Sequence, residues 1–330
     1  MFDGKKVLIT GGTGSLGKAL TKQILKSEVD TIRIYSRDEL KQSEMQAECD
    51  DSRLRFLIGD VRDKNRIFRA LEDIEIVIHA AALKQVPAVE YNPFEAVKTN
   101  VYGTQNLIDA CLDKGVKTAL AVGTDKAVAP FNTYGATKLL MERLFISANY
   151  YKGNRDINFV CVRYGNVIGS RGSLVPTLKN QIQSGGKVTI TDPDMTRFNI
   201  TMEQAVDLIM RALTGIGGEV FIPKLKAYKT GTMKDAIMEL LDAQNEVVRI
   251  PVRPGEKYHE SLISKDEIRN TFETKEDYIL FEEKTQNHKI ENGNSVVKSN
   301  LNDRYSSDKV ELLTKEELKN ILTNENLIFK

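Results

Sequence analysis

The sequence predicts a doubly wound α/β fold, a parallel sheet covered by helices on both faces, followed by a smaller C-terminal substrate-binding lobe. Three observations predict it. Short apolar runs alternate with helix-length segments through the first half, a glycine-rich turn joins the first run to the first helix, and the rhythm loosens after about residue 165. Strands linked by helices across short loops make βαβ units, and a parallel sheet built that way is buried on both faces.

The elements follow in chain order. "KVLIT" (6–10), "TIRIYS" (31–36), "RFLIGD" (55–60), "IEIVIHA" (74–80), "TALAVG" (118–123) and "INFVCVRYG" (157–165) read as strands, with helix-length segments such as 15–27, 92–114 and 135–149 between them. Residues 1–165 are expected to form the first domain, with part of 199–223 returning to it, 166–280 the second lobe, and 281–330 a polar loop and C-terminal helix. The stretch 282–300 is polar and Asn-rich and reads as a mobile loop. A terminal helix follows it, because Thr314 and Glu317 have capping-box spacing ahead of Leu318 and Leu322.

Composition narrows the function classes. Among 330 residues, 47 are basic and 46 acidic, so no general nucleic-acid or anionic-membrane binder is indicated. The longest apolar stretch, "IEIVIHAAAL" at 74–83, is about half of what a membrane span needs. The first strand begins too early to leave room for a signal peptide. Cys49, Cys111 and Cys161 are scattered, as are His79, His259 and His288, so neither a disulfide framework nor a metal site is expected. The expectation is a reduced, cytoplasmic protein.

"ITGGTGSLGKAL" carries Gly11, Gly14 and Gly17 between the first strand and the first helix. Without side chains such a turn is tight, lets a pyrophosphate approach, and presents it to the free N–H groups of the helix. Thr13, Ser15 and Leu16 are further contacts in this turn of a Rossmann-type domain. At the end of strand two stand Ser36 and Arg37, with Lys41 one turn on, a hydroxyl and two cations that suit a ribose 2′-phosphate and favour NADP. The other reading places Asp38 on the ribose and leaves Arg37 a surface charge. Asp60, at the end of strand three and followed by Val61, is a candidate acceptor for the adenine amino group. Ala80, Ala81 and Ala82 end strand four with small side chains against which a flat ring can lie, and Lys84 follows them.

"TDKAVAPFNTYGATK" (124–138) ends in Tyr-x-x-x-Lys. On a helix starting near 133, Tyr134 and Lys138 share one side, where an ammonium favours phenolate and offers a hydrogen bond to the cofactor ribose. Thr124 ends strand five within reach of the same substrate hydroxyl. Asp125 and Lys126 are an additional acid and amine that a simple dehydrogenase does not need; by themselves they also read as a solvated ion pair.

"TGGTGSLG", "HAAAL", Asn100 in "KTNVYGT", Tyr-x-x-x-Lys and "RYGNVIGSRGS" together resemble the extended short-chain dehydrogenase/reductase family. "YSRDELKQSEM", "HAAALKQVPAVEYNP", "TDKAVAPFNTYGATKL", "DPDMTRFNIT" and "VRPGEKYHESLI" narrow the resemblance to the UDP-N-acetylglucosamine 4,6-dehydratases that invert C5, which open pseudaminic acid pathways. The resemblance covers residue 6 to about 265, with a weaker echo at "RYSSDKVELLTKEEL". It implies a recycled NADP, Tyr134 oxidising C4 with Lys138 and Thr124, Lys126 as the base at C5 and Asp125 as the acid at C6. It further implies that UDP-N-acetylglucosamine meets Lys84, Asn166, Arg197, Arg253 and Glu256, and that the protein is a homo-oligomer. A lysine base must be neutral, which requires burial or nearby cations. Asn199 departs from the aromatic residue frequent after "TRF" in these relatives.

Overall fold

The computed structural model describes residues 1–281 and 296–328. All six expected strands form: β1 Lys6–Thr10, β2 Thr31–Ser36, β3 Leu54–Ile58, β4 Ile76–His79, β5 Thr118–Val122 and β6 Asn158–Val162. They lie parallel in the order β3-β2-β1-β4-β5-β6. Period-2 alternation splits their side chains between two cores. Ile9 packs with Leu20 and Ile209 on one face, and Leu8 with Leu107 and Phe145 on the other. The strand order reverses between β1 and β4, and at such a switch point the carboxyl ends of the strands leave a crevice.

Beyond β6 the chain interleaves the two regions. The segment Glu219–Pro223 returns to lie parallel beside β6, and Asp277–Phe281, Thr271–Glu273 and Val297–Lys298 extend that edge antiparallel. The helix Met202–Ala212 packs into the same core as the first helix, Ser15–Ile24. Most of the expected loop at 282–300 lies outside the described residues; within it, Val297–Lys298 is a short strand.

The second lobe has its own core. Val175 and Leu178 from the helix Leu174–Gln183 meet Ile237 from Thr230–Leu240 and Leu318 and Leu322 from Lys315–Asn324. The terminal helix starts with the expected capping box, Thr314 with Glu317. The expected helix 92–114 is broken: Pro93–Ala96 leads into a π-helical stretch, Val97–Tyr102, before Gly103–Lys114 resumes. Stretches of this kind recur at functional sites. Here it places Asn100, whose amide brackets the Leu83 backbone (2.8 and 3.0 Å) and reaches Thr137 (3.0 Å) on the helix Thr133–Tyr151.

Candidate active site

A cleft of about 1070 Å³ opens where the strand order reverses, between the sheet and the second lobe. Every site residue expected from the sequence lines it except Asp125. The glycine turn forms one end. Gly11 has φ +68°, and a Cβ there would stand 2.9 Å from the Ala81 backbone; at Gly17 it would stand 2.3 Å from the Gly12 carbonyl. Gly14 caps the helix Ser15–Ile24 without a side-chain hydrogen bond, which leaves the first N–H groups to a ligand. These observations fit a dinucleotide pyrophosphate.

At the end of β2, Asp38 is the N-cap of the helix Glu39–Cys49, accepting from the Lys41 N–H (3.0 Å) and pairing with the Lys41 ammonium. Arg37 is half-exposed, 3.7 Å from Asp60. Both Asp60 oxygens already accept from Arg62. Burial works to raise the Asp60 carboxyl, but Arg62, with Arg37 beside it, holds it below its usual range. From the opposite lobe Arg171 donates to the Thr13 carbonyl (2.9 Å), and Lys84 to the Arg171 carbonyl (3.3 Å).

The helix Thr133–Tyr151, capped by Asn132, brings Tyr134 and Lys138 beneath β5. The Thr124 hydroxyl bridges Asp125 Oδ1 (2.9 Å) and the Tyr134 hydroxyl. Burial raises the Tyr134 phenol, and the cation opposing burial is Lys126. Lys138 donates instead to the Val122 carbonyl (2.6 Å) and to Met141 Sδ (2.8 Å), and burial lowers it to about 8. The expected partnership of Tyr134 with the Lys138 ammonium is thus taken over by Lys126. The carbonyl at the end of β5 engages the Lys138 ammonium by a hydrogen bond.

Asp125 sits fully buried behind the cleft wall. Its Oδ2 has no hydrogen-bond partner among the described residues and points at Gly165, where a Cβ would come within 3.3 Å. Burial raises its carboxyl above the carboxylate range, against the pull of Lys126. Lys126 Nζ donates to Asp125 Oδ1 (3.1 Å) and Asn166 Oδ1 (3.2 Å) and pairs with Glu260 Oε1 (3.4 Å). The depressed lysine that a base requires is not what these neighbours produce. Burial favours the amine, but the charges of Asp125 and Glu260 prevail and hold Lys126 as the ammonium.

The substrate-side residues converge around this cluster. Arg197, buried, donates to the Thr196 (2.8 Å) and Tyr258 (3.0 Å) carbonyls and to Glu256 (3.1 Å). Among the described residues the exposed Arg253 guanidinium has no ion pair, and its backbone N–H donates to Glu256 (3.3 Å). Asn166 bridges Lys126 and Tyr228. The side-chain oxygen of Asn199 is buried without a hydrogen-bond partner among the described residues. Sequence reasoning missed Glu260, Tyr228 and Arg171 as cleft residues. Arg171 and Glu260 stood inside quoted motifs, "GSRGS" and "KYHES", but no spacing tied either to Lys126.

The polysaccharide biosynthesis protein family matches residues 7–282. The sequence is 48% identical to a UDP-N-acetylglucosamine 4,6-dehydratase (inverting) of Campylobacter jejuni, over 85% of this chain and 84% of the relative. It is 44% identical to an uncharacterized membrane protein of Methanocaldococcus jannaschii, over 97% and 96%. To a UDP-glucose 4-epimerase of Rickettsia rickettsii it is 38% identical, over 98% and 96%. Among the described residues no helix is long and apolar enough to cross a membrane. The solved structure of Pen from Bacillus thuringiensis superposes with a TM-score of 0.94 at 39% identity, covering 99% of each chain. With its glycine cradle, its Tyr134–Lys138 helix and these similarities, the chain belongs to the polysaccharide biosynthesis protein family, among the extended short-chain dehydrogenase/reductases.

Proposed function

We propose that the protein is a UDP-N-acetylglucosamine 4,6-dehydratase that inverts C5, giving UDP-2-acetamido-2,6-dideoxy-β-L-arabino-hex-4-ulose, with NADP as its recycled cofactor. The observation that carries this reading is the Asp125–Lys126 pair hydrogen-bonded, through Thr124, to Tyr134 at one cleft. A 4-epimerase needs the tyrosine and its partners, but has no use for a buried acid and an amine beside them. The 48% identity to the inverting dehydratase of Campylobacter jejuni supports the same reading.

When bound, the dinucleotide supplies the hydride acceptor for C4 and the donor for C6. Tyr134, helped by Thr124, takes the C4 hydroxyl proton. The resulting ketone acidifies the C5 proton, because the carbanion delocalises as an enolate. Lys126 removes that proton, and Asp125, whose carboxyl burial raises, is the acid for the departing C6 hydroxyl. Arg253, with a guanidinium free among the described residues, and Arg197 suit the diphosphate, and Glu256, bonded to Arg197, suits the uridine ribose. Asn166 and Lys84 line the same cleft, Asn166 beside the sugar and Lys84 for the nicotinamide or the sugar. NADP is favoured because Asp38 is committed to its helix cap, which leaves Arg37 for a 2′-phosphate. Under this reading the enzyme is a cytoplasmic homo-oligomer at the head of a pseudaminic-type pathway.

The test is incubation with UDP-N-acetylglucosamine in D₂O without added reductant, read by mass spectrometry and NMR. The expected product has lost one water, carries deuterium at C5 and has the L-arabino configuration. A galacto product without water loss would mean epimerisation, and no product would mean a binding protein.

A further inference from the structure

Lys126 must be an amine to take a proton from carbon, yet its surroundings hold it as the ammonium. Its proton therefore has to go to a group inside the site. Facing Lys126 are Asp125, Glu260, Tyr134, Arg197, Lys84, Lys257 and Tyr228; Glu260 in turn faces Arg197 and Lys257. Asp125 is excluded as the acceptor, because it must itself carry the proton needed at C6; once it does, Glu260 is the carboxylate left facing the Lys126 ammonium. The Tyr134 hydroxyl is engaged with Thr124 and with the C4 step. Arg197, Lys84 and Lys257 are cations.

Glu260 meets the requirement. It is 3% exposed and lines the cleft, with Oε1 3.4 Å from Lys126 Nζ. Its Oε2 is buried without a hydrogen-bond partner among the described residues. A buried carboxylate oxygen left unpaired is costly, and protonation relieves that cost. The backbone around it is clamped. The Glu260 N–H donates to Ser307 Oγ (3.0 Å) and the Ser307 N–H to the Glu260 carbonyl (2.8 Å), while Ser261–Ile263 pairs with Tyr305–Ser306. In the free protein, burial would raise the Glu260 carboxyl, but Lys126, Arg197 and Lys257 keep it ionised, so it is available as an acceptor. Substrate filling the cleft removes water and weakens the preference for separated charges.

We propose that Glu260 is a positioning residue for the elimination step, accepting the Lys126 ammonium proton so that Lys126 becomes the amine that attacks C5–H. This rests on the dehydratase reading. One N–H bond of Lys126 breaks and one O–H bond forms on Glu260, with no outside oxidant or reductant. The C5 proton then restores the Lys126 ammonium. Asp125, having given its proton to the leaving hydroxyl, is re-protonated at the expense of Glu260, and the proton released from the C4 hydroxyl balances the one returned to C5.

The experiment compares the parent enzyme with Glu260→Gln, following cofactor reduction in a single turnover, C5 deuterium exchange, and steady-state dehydration across pH. In Glu260→Gln, cofactor reduction and KM are expected to stay near the parent's, while exchange and kcat fall about 100-fold at neutral pH. The variant's rate should then climb about tenfold per pH unit on the alkaline side, as solvent takes the Lys126 proton, where the parent's profile is flat. A kcat within about twofold of the parent's and an unchanged pH profile would overturn the inference. If Glu260→Gln does not fold, Glu260→Asp is read in its place. It should keep the flat profile at reduced rate, and an alkaline-dependent rate there would count against the proposal. Loss of cofactor reduction together with dehydration in both variants also overturns it, since Glu260 would then hold the whole site. A parent that never dehydrates sinks the dehydratase reading and this inference with it.

Discussion

At Tyr134 the charge that opposes burial comes from Lys126. Lys138 was to act on Tyr134, but it is buried against the Val122 carbonyl. Lys126 is also the group whose protonation state is set by carboxylates from two distant parts of the chain, Asp125 beside it and Glu260 far downstream. At the other end of the cleft the residue-scale question is the ribose. If Arg37 holds a 2′-phosphate, Arg37→Ala should weaken NADP binding about tenfold, or about 1.4 kcal/mol, and leave NAD binding unchanged. The lower end of charge-assisted bonds is expected because the side chain is 54% exposed. Titration calorimetry with both dinucleotides decides, and equal losses for the two would return the ribose to Asp38.

Elements are held in register with the site by a buried ionic network. Arg163, at the end of the β6 segment and fully buried, donates to Glu142 on the helix Thr133–Tyr151 (Nε, 3.0 Å). It also reaches the Leu262 carbonyl (2.9 Å) and Glu267 (3.0 Å). The helix that carries Tyr134 and the segment that carries Glu260 are thereby tied to the same guanidinium. Removing one partner strands a buried charge, so Glu142→Ala should cost about 3 kcal/mol of folding stability. Urea denaturation measures this, and a loss below about 1 kcal/mol would mean that Glu267 and the Leu262 carbonyl suffice to hold Arg163.

Across the whole molecule, the C-terminal helix is part of the second lobe's core and not an appendage. Leu318 and Leu322 are fully buried against the helix Thr230–Leu240, and the preceding residues 305–307 back Glu260 from behind. Leu318→Ala should therefore destabilise by about 2–5 kcal/mol. Hydrogen exchange should show the loss first in the lobe helices, with the strands of the large sheet protected longer. Uniform loss across both regions would instead mean that sheet and lobe unfold as one unit.

By itself the sequence determined the six parallel strands, the glycine turn and the C-terminal capping box. Each of these is written in short-range chemistry: period-2 alternation, missing Cβ atoms, a hydroxyl three residues before a carboxylate. Beyond the return of part of 199–223, it could not show which strands pair at 219–223 or that 271–281 extends the large sheet, because strand pairing depends on partners far away in the chain. Nor could it bring Glu260 to Lys126, place Asp125 behind Gly165, or turn Lys138 toward Val122. Protonation follows burial and neighbouring charge, and both exist only once β5, the lobe and the segment 260–263 have packed together. The same Asp-Lys pair that in sequence also reads as a solvated surface pair is, in the folded chain, a buried acid beside an ammonium shared by two carboxyl groups.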